Sequence, residues 1–318
     1  MLGYVLKRVL LMIPVVVGVI VLVFSILYIT PGDPVRLILD ATASEADILA
    51  KRVELGLSDP FLVQLVRYIV NLVVRFDFGE SYITRRAIGA DLLMRFPLTV
   101  NIAVICMVMT ILVGTPLGII AALNQGKLGD TLSMLVALIG VSMPAFWAGL
   151  LLVLFFSVRL GWLPAFGMGG LEYYILPCIT TSLVGIATLA RQTRSSMLEV
   201  MRSDFITTAK AKGLSKRKII MKHMLPNALI PIITVAGNTF SRLLGGVVVT
   251  EVVFSITGLG AFMITGINQR DYPVVLGCVV WMAVAFSIVM LIVDLCYAFV
   301  DPRIKAQYAK KGWRRKHA

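Results

Sequence analysis

Long uncharged apolar runs alternate with short polar stretches along the chain. Six runs approach or exceed the about 20 residues that an α-helix needs to cross hydrocarbon. They are Val9–Thr30, Pro97–Asn124, Thr131–Val158, Tyr174–Ala190, Leu229–Phe254 and Val274–Val300. Each is predicted to be helical, because lipid cannot satisfy an open sheet edge. The fourth run is short, so its helix is expected to continue past Arg191. Lys7 and Arg8 precede the first run. The uncharged stretch Val9–Gly32 outlasts a signal-peptide core and has no small-residue cleavage site, so it is expected to remain as a span. Pro116 and Pro144 should kink the second and third spans.

Two connecting segments are too large to be simple links. In 31–96, the apolar residues Phe61, Leu62, Leu65, Tyr68, Ile69 and Leu72 recur at helical spacing. This predicts an amphipathic helix near Pro60–Phe76 within a small helical cap. The segment 191–228 reads as helix, break, helix. Phe205–Lys212 are helix formers, Gly213 supplies a left-handed stop and Ser215 can cap the next helix. Lys216–Met224 should form a basic second helix that Pro226 ends. The small residues Thr207, Thr208, Ala209 and Ala211 would let another surface approach closely.

Composition agrees with the pattern. The chain has 318 residues, 58% apolar and 15% charged, against about 25% charged in soluble domains. Its mean hydropathy is +0.91. The net charge of +13 is unevenly placed. Segments 1–8, 125–130, 191–228 and 301–318 carry most of the Lys and Arg and few acids, whereas 31–96, 159–173 and 255–273 are near balance. By the positive-inside rule both termini are cytoplasmic. Topology thus explains the basic charge, and no nucleic-acid partner is expected. The tail Lys310–Lys316 should meet anionic lipid headgroups. Cys106, Cys178, Cys278 and Cys296 lie far apart in apolar stretches and read as small buried hydrophobes.

No phosphate-binding Gly-x-x-x-x-Gly-Lys-Ser/Thr loop is present. There is no His/carboxylate cluster for a metal and no nucleophile–base pair by motif, so no catalytic residues or metal are assigned. Three ionisable residues fall within spans: Arg242, Glu251 and Asp294. A charge at mid-span costs about 2.5–3.5 kcal/mol on insertion scales. Asn238, Arg242 and Gly245/Gly246 share one helical face, which is expected either to line a polar pathway or subunit interface or to make a structural hydrogen bond to neighbouring helices. Glu251, nine residues from Arg242, lies about half a turn away. It reads as an outer-gate or structural acid, and Asp294 as structural. Met143 stands beside the Pro144 kink.

The spacing Thr207-Thr208-Ala209, Gly213, then His223-x-Leu225-Pro226 resembles the EAA motif of ABC importer permeases. Thr207 stands where Glu is usual and His223 where Ile is usual. Further strings resemble the dipeptide, oligopeptide and nickel subgroup. They are Pro31-Gly-Asp-Pro34, Leu55-Gly-Leu-Ser-Asp-Pro60, Asp77-Phe-Gly79 with Ser81, Ser142-Met-Pro144, Arg194-Ser-Ser-Met-Leu198, Gly258-Leu-Gly260, Arg270-Asp-Tyr-Pro273 and Asp301-Pro-Arg-Ile304. The resemblance covers Met1 to about Lys305.

It implies an all-α integral membrane protein with six transmembrane helices and a MetI-like type I ABC importer permease fold, in a prokaryotic inner membrane. Residues 1–96 would form the first span and outer cap. Residues 97–305 would form the permease core, and 306–318 a basic tail. The implied partners are a second permease subunit, two ATP-binding subunits and an extracytoplasmic solute-binding protein. ATP and Mg would be used by the ATPase partners, with no cofactor on this chain. Thr207, Thr208, Ala209, Lys210, Gly213, Leu225 and Pro226 would couple to the ATPase. Asn238, Arg242, Gly245, Glu251 and Met143 are the candidates for the pathway. Short peptides are the first expectation for the substrate, with nickel, a nickel chelate or glutathione as alternatives. A proton-coupled secondary transporter is the alternative from another class; it would need a mid-membrane acid or His relay.

Overall fold

The computed structural model describes residues 2–39 and 43–300. Among them the only β-type pairing is an isolated bridge between Glu80 and Ala87. In chain order the helices are α1 (Leu2–Ile29), α2 (Val35–Ile38), α3 (Glu45–Glu54), α4 (Phe61–Arg75), α5 (Ile88–Met109), α6 (Thr115–Leu123) and α7 (Leu128–Ser142). They continue with α8 (Ala145–Leu152), α9 (Glu172–Met201), α10 (Asp204–Ala211), α11 (Lys216–Lys218), α12 (Leu225–Val253), α13 (Leu259–Asn268) and α14 (Tyr272–Val300). Wider π-helical turns occupy Thr110–Gly114, Val153–Arg159 and Ile219–Met224.

Among the described residues, five continuous stretches are long and apolar enough to cross a membrane: Arg8–Ile29, Ile88–Leu123, Glu172–Met201, Lys216–Gly245 and Tyr272–Leu295. A sixth arises if α7 and α8, bent by 103°, count as one span. The predicted third span is therefore a broken helix and not a kinked one. Pro144 disfavours the helical region for the residue before it, and Met143 is extended at φ −88°, ψ 129°. The second span begins nine residues before the predicted Pro97, at Ile88. Asp91 and Arg95 had masked its first turns. The fourth helix does run on past Arg191, to Met201.

Pro226 does not end a helix, contrary to the sequence expectation. The chain stays helical from Lys216 through Val253. Proline lacks an N–H, and its ring collides with the carbonyl four residues back. That carbonyl, of Lys222, lies inside the π-helical turn Ile219–Met224, whose wider pitch makes room. Pro116 follows the π-turn Thr110–Gly114 in the same way.

The structure forms two compact units. Among the described residues, the first comprises Val100–Ile256 and 288–300, and the second comprises Leu2–Thr99 and Thr257–Ser287. Helix α9 is the spine of the first, packing against α6, α7, α8 and α12. The approach of α6 to α9 requires glycine. A Cβ on Gly118 would lie 2.5 Å from the Ala190 carbonyl oxygen and 2.5 Å from Thr193 Cβ. Cys106 and Cys178 are buried in the core of this unit, and Cys278 is buried in the second unit. The side chain of Cys296 lies outside the described residues.

In the second unit α4 buries Leu65 and Leu72 beside Ile20, Leu276 and Val280, with Phe61, Tyr68 and Ile69 partly buried in the same cluster. Leu62, counted with this set from sequence, is 68% exposed. It belongs to a second apolar face that also carries Val66, Val70 and Val73. Both faces of α4 are apolar, so spacing alone could not assign Leu62. Ser44 and Asp47 form a reciprocal capping box at the start of α3.

Candidate functional site

Helix α10 places the proposed coupling residues on two faces. Ile206 and Ala209 point inward and are buried with Leu189, Met197, Ile219, Met224 and Ala228. Thr207, Thr208, Lys210 and Ala211 are exposed. Ala209, expected from sequence on the open face, instead anchors the helix to its own chain. The Thr208 hydroxyl donates to the Asp204 carbonyl at 3.0 Å, within the helix.

Gly213 ends α10 in a Schellman arrangement. Its N–H donates to Lys210 O at 2.9 Å, and the N–H of Leu214 donates to Ala209 O at 3.3 Å. Gly213 has φ +74°, a region costly for residues bearing a Cβ. Leu214 packs onto the same apolar cluster as Ala209. Ser215 occupies the next N-cap position without a side-chain cap bond. Leu225 is half-buried against that cluster and Pro226 is exposed. Lys216, Arg217, Lys218 and Lys222 are all exposed. The result is a short helix, pinned by its apolar side, whose outward face carries small residues and Lys210 beside the exposed Asp204 and Phe205.

A part-buried ion pair, which the sequence reading missed, joins the start of α7 to α9 seven residues before α9 ends. Arg194 Nε and one terminal nitrogen donate to the two carboxylate oxygens of Asp130, at 2.6 and 2.7 Å. The N–H of Gly126 also donates to Asp130, at 3.1 Å. Asp130 is 7% exposed. The fork geometry fixes orientation as well as distance. The only sequence signals were an acid in a short basic connection and an Arg within a subgroup string.

Along α12, Asn238, Arg242 and Gly245 are exposed, while Ala236, Leu243, Leu244 and Val247 are buried. Arg242 thus stands outward from an apolar helix. Glu251 is wholly buried in the body of the chain, on the other side of the helix from Arg242. Met143 is half-buried at the break between α7 and α8. The structure brings Asn238, Arg242 and Gly245 together and separates them from Glu251.

Comparison with known proteins decides the family. Residues 114–306 match the model for the binding-protein-dependent transport system inner membrane component. Residues 1–103 match the N-terminal model of the same membrane component. The chain belongs to this family. As a binding-protein-dependent transport component it is a multi-pass inner membrane protein, a transport subunit and not itself an ATPase. It is 41% identical over 305 residues to the glutathione transport system permease protein GsiC of Salmonella paratyphi A, covering 96% of this chain and 99% of that one. It is 39% identical over 333 residues to the dipeptide transport system permease protein DppB of Alkalihalophilus pseudofirmus, covering 96% and 100%. A chain of the inward-facing MetNI methionine ABC transporter superposes with a TM-score of 0.58 at 18% identity, covering 66% of this chain and 96% of that one. At that identity the likeness shows a shared fold. The family assignment disfavours the proton-coupled alternative, since the transport components of this family work with a binding protein.

Proposed function

We propose that this chain is one of two permease subunits enclosing the pathway of an ATP-driven importer of short peptides. The observation that carries the reading is α10: a helix fixed by Ile206 and Ala209, ended by Gly213, and presenting Thr207, Thr208 and Lys210 outward. Such a surface suits seating in a groove of an ATP-binding subunit. Both termini and α10 are placed on the cytoplasmic side. Two ATPases, using ATP and Mg, would dock below, and an extracytoplasmic binding protein would deliver cargo above.

Force applied to α10 has a physical route into the spans. Helix α9 ends three residues before α10 begins. It is locked to α6 at Gly118 and to α7 through Asp130–Arg194. A two-state movement of α10 would therefore carry α6, α7 and α9 as one body, with the break at Met143 as a hinge before α8. In this reading residues 1–96 serve delivery and 97–305 carry transport. The tail 306–318, outside the described residues, meets lipid headgroups.

The face Asn238–Arg242–Gly245 is assigned to the pathway shared with the second permease. An outward Arg on an apolar span is costly against lipid and needs a polar cavity or partner. Glu251, buried behind that face, has a structural part. Short peptides are favoured as cargo because one relative is named for dipeptides and the other for glutathione, itself a tripeptide.

The test is uptake of a labelled dipeptide by proteoliposomes containing the assembled complex and its binding protein. Arg242→Ala should lower uptake about tenfold or more, the scale of one lost charged contact, while assembly and ATP hydrolysis persist. Uptake at the unmodified rate would remove Arg242 from the pathway. An unmodified complex that takes up no dipeptide would overturn the cargo.

A further inference from the structure

Four strings from the sequence, none with a role so far, converge in the second unit. Residues of Pro31-Gly-Asp-Pro34, Leu55-Gly-Leu-Ser-Asp-Pro60, Asp77-Phe-Gly79 with Ser81, and Arg270-Asp-Tyr-Pro273 all line one cavity of about 730 Å³. That volume falls in the ordinary range for small-molecule sites.

The walls are cross-braced. Arg52 pairs with Asp33 at 2.6 Å, tying the first string to α3. The Gln64 amide donates to the carbonyls of Leu57 and Asp59 at 3.2 and 2.7 Å, fixing the second string. The Ser81 hydroxyl and the Tyr82 N–H donate to opposite oxygens of the buried Asp271, joining the third string to the fourth across 190 residues of sequence.

The lining combines aromatic walls with unmatched polar groups. Phe24, Tyr28, Phe78 and Tyr272 contribute rings. Tyr68 adds to the wall too, packed against the apolar cluster behind it, with its hydroxyl sealed from the cavity. Burial pushes the Tyr82 phenol up to about 12, so it remains a neutral donor. At the exposed rim Glu80 and Arg85 carry opposite charges. Neither side chain makes an ion pair among the described residues. Both signs of charge beside aromatic walls match a ligand bearing both an ammonium and a carboxylate.

We propose that this cavity binds a small zwitterion of short-peptide size, as a ligand site on the permease itself and separate from the α12 face. Glu80 meets the ammonium and Arg85 the carboxylate. That the ligand is the transported cargo rests on the import reading above.

The test uses the complex of this chain with its permease and ATPase partners, without the binding protein. Nanodiscs of phosphatidylglycerol alone exclude zwitterionic lipid. Calorimetric titration with Ala-Phe should show saturable binding. The dipeptide capped by N-acetylation and C-amidation should bind about tenfold more weakly or worse, having lost its charge-assisted contacts. Arg85→Asn, which keeps a residue tolerant of the left-handed backbone there (φ 57°), should weaken binding about tenfold. Glu80→Gln should weaken it about fivefold, by removing the charge that meets the ammonium.

Absence of saturable binding, or binding indifferent to both substitutions, would overturn the proposal. Equal binding of phosphoethanolamine would also overturn it, reassigning the cavity to lipid headgroups. Binding-protein-dependent uptake of Ala-Phe, measured in parallel, separates the two claims. Uptake without cavity binding defeats only the cavity, whereas an unmodified complex without uptake defeats the import reading.

Discussion

The α10 segment and the cavity region of the second unit both rest on apolar clusters but differ in what they do with their polar side chains. Around α10, tertiary attachment is apolar, through Ile206, Ala209, Ile219 and Met224, and the exposed Lys and Thr side chains make no ion pairs among the described residues. Around the cavity an apolar cluster of Ile20, Leu65, Leu72, Leu276 and Val280 is supplemented by polar braces, Arg36–Glu45, Arg52–Asp33, Arg67–Asp59 and Ser81–Asp271. A surface that must accept a partner keeps its polar groups uncommitted. A structure that must hold a shaped cavity in water spends them on bracing.

That contrast can be broken at measurable places. The largest effect should come from the α7–α9 lock. Arg194→Ala leaves the Asp130 carboxylate buried without its cation and should cost roughly 3 kcal/mol of stability, read as a fall in the thermal transition of the purified chain. Arg194→Lys should recover only part of it, because Lys lacks the planar fork. Gly118→Leu should cost about 2 kcal/mol or more by overpacking α6 against the α9 backbone. The second unit should be spared by both.

Gly213→Val forces a β-branched residue to φ +74° and should cost about 1–2 kcal/mol locally. Its sharper readout is recovery of the ATP-binding subunit on co-purification, which should fall while the chain still inserts. Zwitterion binding in the second unit should survive. The smallest effect is expected from Ser44→Ala, which removes the α3 cap at about 1 kcal/mol. Cavity binding should weaken slightly with no change in ATPase recovery. Loss of ATPase binding in the Ser44 variant would blur the two regions into one.

Much of the architecture was legible in the sequence because hydrophobic run length is a direct physical requirement of the bilayer. The helix–break–helix at Gly213 and the continuation of α9 past Arg191 were readable from residue type for the same reason. What misled was proline. Pro97 and Pro226 each sit within helical chain, and no composition rule reveals the π-turn that accommodates Pro226. Pro144, by contrast, breaks its span outright. The direction of Ala209 was hidden because small residues suit both an open face and a tight core. Asp130–Arg194 and Ser81–Asp271 were invisible because each joins residues far apart in sequence, with no spacing pattern to read.

The account depends above all on α10 being the seat of the ATPase. Thr207→Cys, carrying a short thiol-reactive photo-crosslinker in the assembled complex, tests it directly. The account predicts an adduct with the ATP-binding subunit whose yield changes on ATP addition, and none from the same probe placed at Leu62 on α4. An adduct to lipid alone at residue 207, in a complex that still hydrolyses ATP and transports, would contradict it.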